Sequence, residues 1–377
     1  MNKLLFTLIV CSNLIFGQTA KFDSLLEKGI DQIYSLQFKS AEQTFLQFEK
    51  KYPDRPEGKF FEAMITWWKI MVDLDNKEYD KKFKDQLDDV IDFCDDILDK
   101  NSKRVDAIFF KGGAYGFKGR LASIREDWMD AAGDGKEAMP LVYDAYELDP
   151  DNKDVQLGFG IYNYYADVIP KKYSFLKPVM FFFPKGNRKK GLEQLEDVAK
   201  NGKYTKVETK YFLMTIYFSF EDNYGKAQEY AEDLAAAYPD NAVFEKYVAR
   251  IKRKQYDMQG SVEAFKSIYA KADSGLTGYN DKTRREAAYY IGENYFNKGK
   301  WDNSLKYFEE CVTLSRKVDN DEDTGFLISA MIFAAKIYDV RGERSKAVKY
   351  YKEVLDMDEY KTSHKVAKKY LKTPYGK

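Results

Sequence analysis

The chain has 377 residues, of which 44% are hydrophobic and 32% charged, enough to bury a sizeable core. Lys and Arg balance Asp and Glu at 61 each, so no global basic field exists to hold nucleic acid. One histidine, His364, and three cysteines exclude the usual Ser-His-Asp and Cys-His catalytic sets and leave no His/Cys cluster for zinc, and no cofactor is expected.

In chain order, residues 1–17 read as a signal peptide: Lys3 precedes an apolar run from Leu4 to Phe16, and Gly17 or Ala20 offers a small residue for cleavage. This predicts export to the periplasm or cell envelope. Leu8-Ile9-Val10-Cys11 is similar to a lipoprotein cleavage box, although Val10 stands where a small residue is usual. Lipidation of Cys11 would instead anchor the chain to the outer membrane. No other apolar run approaches the roughly 18–20 residues of a membrane span. Cys94 and Cys311 fall at apolar helical positions and read as small hydrophobes.

From residue 22 to 371 the chain reads as helix pairs. Leu25, Gly29, Phe38, Ala41, Phe45 and Pro53 make the first unit. The second places Trp67 and Trp68 on a helix from Gly58 to Val72. Its partner helix, from about Lys82 to Lys100, buries Leu87, Val90, Ile91, Cys94, Ile97 and Leu98 and turns a row of aspartates to solvent. The third carries Gly112 and Tyr115 on one helix and Ala138 and Ala145 on the next, with roughly fourteen residues more than the repeat needs. Gly112, Gly113, Gly116 and Gly119 are costly in a helix, and imply either close backbone approach or a break. In the fourth, Leu157 to Tyr165 leads into an apolar connection at 168–187 holding Pro170, Pro178 and Pro184, and the helix resumes at Arg188. Such a connection is too long to be idle and too apolar to stay solvated. The later units are more regular: Tyr211, Tyr224, Ala227 and Leu234, then Ala249, Ser261 and Phe265, then Gly292, Tyr295, Trp301, Ser304 and Phe308, then Tyr338, Gly342, Ala347 and Tyr351. A lysine-rich helix, Lys361 to Leu371, closes the array as a cap.

Motifs that carry chemistry are weak. Gly133-Asp134-Gly135-Lys136 lacks the first Gly and the final Ser/Thr of a phosphate loop. Asp319, Asp321 and Asp323 have calcium-loop spacing, but Gly325 comes one place late and Ala330 stands where Glu is needed. No pattern selects two carboxylates for glycoside chemistry.

The order of small and aromatic residues resembles the tetratricopeptide repeat, in which a small residue on helix A lets helix B cross closely. The resemblance implies an all-α solenoid, a right-handed superhelix of about eight divergent helix pairs. The chain with its leader resembles exported tetratricopeptide proteins of Bacteroidota. Gly158-x-Gly160, the Pro-containing connection and Gly186-Asn187-Arg188-x-x-Gly191-Leu192-x-x-Leu195 are similar to the tetratricopeptide-39 family, which includes a mitochondrial outer-membrane-associated inclusion-clearance protein. Neither family supplies catalytic residues.

The expected function is a non-catalytic envelope scaffold that grips a peptide or partner protein in a concave groove. Its candidate contacts are Trp67, Trp68, Tyr115, Tyr162, Tyr164, Asp167, Lys171, Phe181, Phe182 and Arg188, with Tyr217, Tyr295 and Tyr338 as further helix-A aromatics. The connection from Tyr173 to Pro184 either plugs the groove, meets a partner, or dips into a membrane surface with Lys and Arg pairing headgroups. The membrane reading makes the chain a peripheral membrane protein. A hydrolase built on an unrecognised carboxylate pair is the third reading.

Overall fold

The computed structural model describes residues 24–181, 183–319 and 322–377, so the leader, Cys11, Phe182 and Asp321 lie outside the described residues. The described chain is helical throughout and divides into two compact units, one ending at Tyr230 and one spanning Ala231–Lys377.

Unit 1 contains α1 (24–34), α2 (Phe38–Lys51), α3 (Glu57–Val72), α4 (Asp80–Lys100), α5 (Val105–Ile124), α6 (Trp128–Leu148), α7 (Gln156–Lys172), the short α8 (Lys177–Met180), α9 (Arg188–Asn201) and α10 (Lys206–Ser219). α11 (Tyr224–Ala237) carries the chain into unit 2, which holds α12 (Ala242–Lys254), α13 (Met258–Asp273), α14 (Asp281–Asn297), α15 (Trp301–Val318), α16 (Gly325–Val340), α17 (Arg344–Asp356) and α18 (Ser363–Lys372). Within each unit, most helices adjacent in sequence pack side by side, and α7 packs on α9 across the short α8. Some also touch the next helix but one, as α14 touches α16 and α16 touches α18. This is the stacking that lets units unable to bury a face alone share a core.

The small positions work as the repeat pattern requires. A Cβ on Gly29 would lie 2.4 Å from the Phe45 ring, so that aromatic occupies the space the glycine leaves. In unit 2 the Ser261 hydroxyl donates to the Ala249 carbonyl at 2.9 Å, and Ser304 donates to Gly292 at 2.8 Å. Both serines are buried, and the same twelve-residue offset ties each helix B to the helix before it. Phe308 then stacks on Phe333 at 4.9 Å, sealing α15 against α16. Asn241, Asp257, Asn280 and Thr324 cap helix N-termini with their side chains, satisfying amides that the helices leave unpaired.

The extra residues of the third pair lengthen α5 and α6 and break neither. Gly112 and Gly119 allow close approach: added Cβ atoms would meet Leu141 Cβ and the Ala131 carbonyl, each at 3.2 Å. Gly133 to Glu137 lies inside α6, so no phosphate loop forms there. Asp319 is buried and paired with Arg285.

The connection is shorter than 168–187. α7 continues through Pro170 to Lys172, because a proline in the last turn disturbs only bonds at the helix end. A 3-10 turn (Ser174–Leu176) and α8 follow, and α9 begins at Arg188. The glycines here have separate tasks. Gly158 faces Val142 on α6 and Gly160 faces Leu195 on α9, each with an added Cβ at 2.8 Å. Gly186 and Gly191 lie against the α7 backbone, where a Cβ would come within 2.5 Å of Asp167 N and 2.6 Å of Tyr164 N.

Candidate functional site

The expected contact residues separate by burial. Trp67 and Trp68 are core: α3 lies between α2 and α4, is apolar nearly all round, and buries both indoles completely. Tyr164 is also fully buried, and its hydroxyl donates to Glu221 at 2.6 Å. These three are corrections to the expected surface, since no partner reaches them. Arg188 is half exposed, but its guanidinium is committed to the same Glu221 carboxylate, with Nε at 2.8 Å. Burial works to raise the Glu221 carboxyl, yet Arg188 and Tyr164 outweigh it and hold it below the usual range. Asp167 pairs with exposed Lys171 one turn on, at 2.7 Å. Asn187 caps α9 by accepting from the Lys190 amide, which fixes where the connection ends.

The connection has two sides. Leu176 is buried, and Tyr173 and Phe183 are half buried, while Phe175 is 62% and Phe181 83% exposed. Trp128 on α6 meets Tyr173 at 6.3 Å and Phe175 at 6.0 Å, which holds the turn against α6.

Beneath the inner side lies a cavity of about 640 Å³, within unit 1, walled by α3, α5, α6, α7, α10 and the connection. Tyr115 and Tyr162 line it, and Tyr162 donates to the Pro184 carbonyl. Burial pushes the Tyr162 hydroxyl up to about 12, so it remains a donor at neutral pH. The charged lining groups are Arg120 and Glu208, which pair with each other, and Tyr34 donates to Glu208 at 3.1 Å. The Arg120 guanidinium also lies over the Phe212 ring at 4.2 Å and the Trp67 ring at 4.7 Å. Glycoside chemistry would need two facing carboxylates, and this lining has one. Among the described residues no group of His, Cys, Asp and Glu has a metal-binding arrangement.

Unit 2 carries a second feature, a row of half-buried tyrosines from α13 to α17. Tyr307 stacks on Tyr295 at 5.8 Å and meets Tyr269 edge-on at 5.4 Å. Glu310 accepts from the Tyr269 hydroxyl and from Arg284 Nε, both at 2.6 Å. The neighbouring Glu309 accepts from Tyr338 at 2.9 Å and Tyr350 at 2.8 Å. Burial and the glutamate beside each push the Tyr269 and Tyr338 hydroxyls up to about 12. Tyr295 and Tyr338 were legible as helix-A aromatics. Tyr269, Tyr307 and Tyr350 lie on helix B, where the repeat pattern assigns packing, and the two glutamates resemble any solvated acids in a charged sequence.

Residues 284–359, which cover much of this row, match the tetratricopeptide repeat family. The fold class is the one expected: an all-α, tetratricopeptide-like α-solenoid. No curated protein matches the chain. Among solved structures, Pseudomonas aeruginosa pilF is similar at 11% identity and a TM-score of 0.43, covering 67% of this chain and 95% of that one. A human IFIT1 dimer with m7Gppp-AAAA covers 94% of this chain and 87% of its own, at 9% identity and 0.42. PilW, a widely conserved type IV pilus biogenesis factor, shows 15% identity, a TM-score of 0.40, and coverage of 67% and 96%.

Proposed function

We propose that this chain is a non-catalytic interaction scaffold of the cell envelope that binds a peptide or partner protein through the tyrosine row of unit 2. The observation that carries it is the way Glu309 and Glu310 fix the hydroxyls of Tyr269, Tyr338 and Tyr350. Rings fixed in this way lose little entropy on binding, and tyrosine beside arginine is the composition of binding hot spots. Arg284, over Tyr269 at 4.9 Å, supplies the cation. The tetratricopeptide match over residues 284–359, which hold all of this row but Tyr269, supports a protein-binding role. The Leu4–Phe16 run supports export. Replacing Tyr307 and Tyr350 together by Ala should weaken partner binding by about thirtyfold or more, the scale of a hot spot. The helical circular dichroism should not change. Equal binding by the variant and the wild type overturns the assignment.

The exposure of Phe175 and Phe181 among exposed Lys171, Lys177 and Lys185 favours a second reading, docking on an anionic membrane surface. No described helix is long and apolar enough to cross a membrane. Docking predicts flotation with phosphatidylglycerol vesicles that Phe175→Ser with Phe181→Ser abolishes, and wild-type protein that stays with the unbound fraction rejects it.

A further inference from the structure

The cavity of unit 1 has a chemistry that the scaffold reading does not use. Its volume of about 640 Å³ is that of a site for a small molecule or a single chain. Its charges cancel internally in the Arg120–Glu208 pair, with Tyr34 donating to the same carboxylate, so an incoming charged group finds no free counter-ion. Several of its hydroxyls are engaged within the protein as well. Ser123 donates to Gly119, Thr205 to Asp154, Thr215 to Phe212 and Tyr162 to Pro184. A peptide brings an amide donor and acceptor with every residue, and this mostly apolar lining would leave most of them unpaired. A hydrocarbon chain brings none.

Gly116 is the informative wall position. It lines the cavity from the interior of α5, and a Cβ added to it meets no atom within 4 Å. Gly112, four residues earlier, is held by contact with α6, but no such contact accounts for Gly116. Gly116 is exposed, and a side chain there would enter the open space that it lines.

We propose that this cavity binds one long hydrocarbon chain of an amphiphile, with the polar head left at the surface. The chain is either part of a membrane lipid or a free alcohol or acid, and both share this chemistry. The site is separate from the tyrosine row, so either proposal can fail alone.

The test is displacement of Nile red from the full-length protein by decanol, dodecanol and tetradecanol. The expected result is one saturable site whose Kd falls by up to about fourfold for each added methylene. Gly116→Leu and Gly116→Phe should weaken binding tenfold or more with a melting temperature equal to or above that of the wild type. Absence of saturable binding, a Kd independent of chain length, or wild-type affinity in Gly116→Phe overturns the proposal. If the site holds, lysophosphatidylcholine in solution and phosphatidylcholine vesicles distinguish the sources. Uptake from both assigns a membrane lipid, and uptake from solution alone assigns a free chain.

Discussion

Acidic residues that accept from tyrosine hydroxyls recur through this chain. Glu221 holds Tyr164, Glu196 holds Tyr217 at 2.6 Å, Glu309 and Glu310 hold the row in unit 2, and Asp339 holds buried Tyr351. Each pair satisfies a phenol that burial would otherwise leave without a partner, and fixes the ring beneath it. Glu221 gives this a measurable pH dependence. Its folded carboxyl is held below its ordinary value, so its contribution to stability is complete above the usual carboxylate range and is lost as pH falls through the folded value. Arg188→Met should therefore lower stability by about 1 kcal/mol at neutral pH, the upper end for a pair with one half-exposed partner. The difference from wild type should shrink as the solution is acidified below the carboxylate range. Urea unfolding at several pH values measures this, and a difference independent of pH contradicts the role given to Glu221. Burial likewise pushes the Cys94 and Cys311 thiols up to about 12, which suits packing and not reactivity.

Where helices cross, glycine decides how close they come. The α7–α9 crossing depends on Gly191, because a methyl there would press on the Tyr164 amide and the Gly160 carbonyl, neither of which can rotate away. Gly191→Ala should cost about 1–3 kcal/mol, the range for an overpacked core, measured as a lower urea midpoint. Gly116→Ala should instead gain up to about 1 kcal/mol, since it relieves a helical glycine that touches nothing. Opposite signs from two glycines in long helices would separate packing from open space, and a loss at both positions would contradict the cavity.

The helix pairs were legible in the sequence because Gly29, Ser261, Gly292 and Ser304 sit at fixed places relative to Phe45, Phe265 and Phe308, and a local pattern is enough to find them. The end of α7 was not legible. Pro170 reads as a stop, yet in a final turn it removes too little to end the helix early. Trp67 and Trp68 gave the wrong face because a helix apolar all round has no side that its own sequence marks as outer. The cavity is the extreme case. Tyr34, Arg120 and Glu208 are 174 positions apart from first to last, and nothing local joins them.

At the scale of the whole molecule, each unit has its own surface to offer. Unit 2 has fixed tyrosines and the tetratricopeptide match, and unit 1 has an apolar cavity beneath a connection whose outer phenylalanines are exposed. With acidic and basic residues in balance, no global field adds to these local features. The most direct measurement places a photo-crosslinking amino acid at Tyr338 in whole cells and, as a control, at Asp89 on the solvated face of α4. The scaffold account predicts a discrete protein adduct at Tyr338 that is absent at Asp89 and lost when Tyr307 and Tyr350 become Ala. The same adducts at both positions, or none at Tyr338, would contradict it.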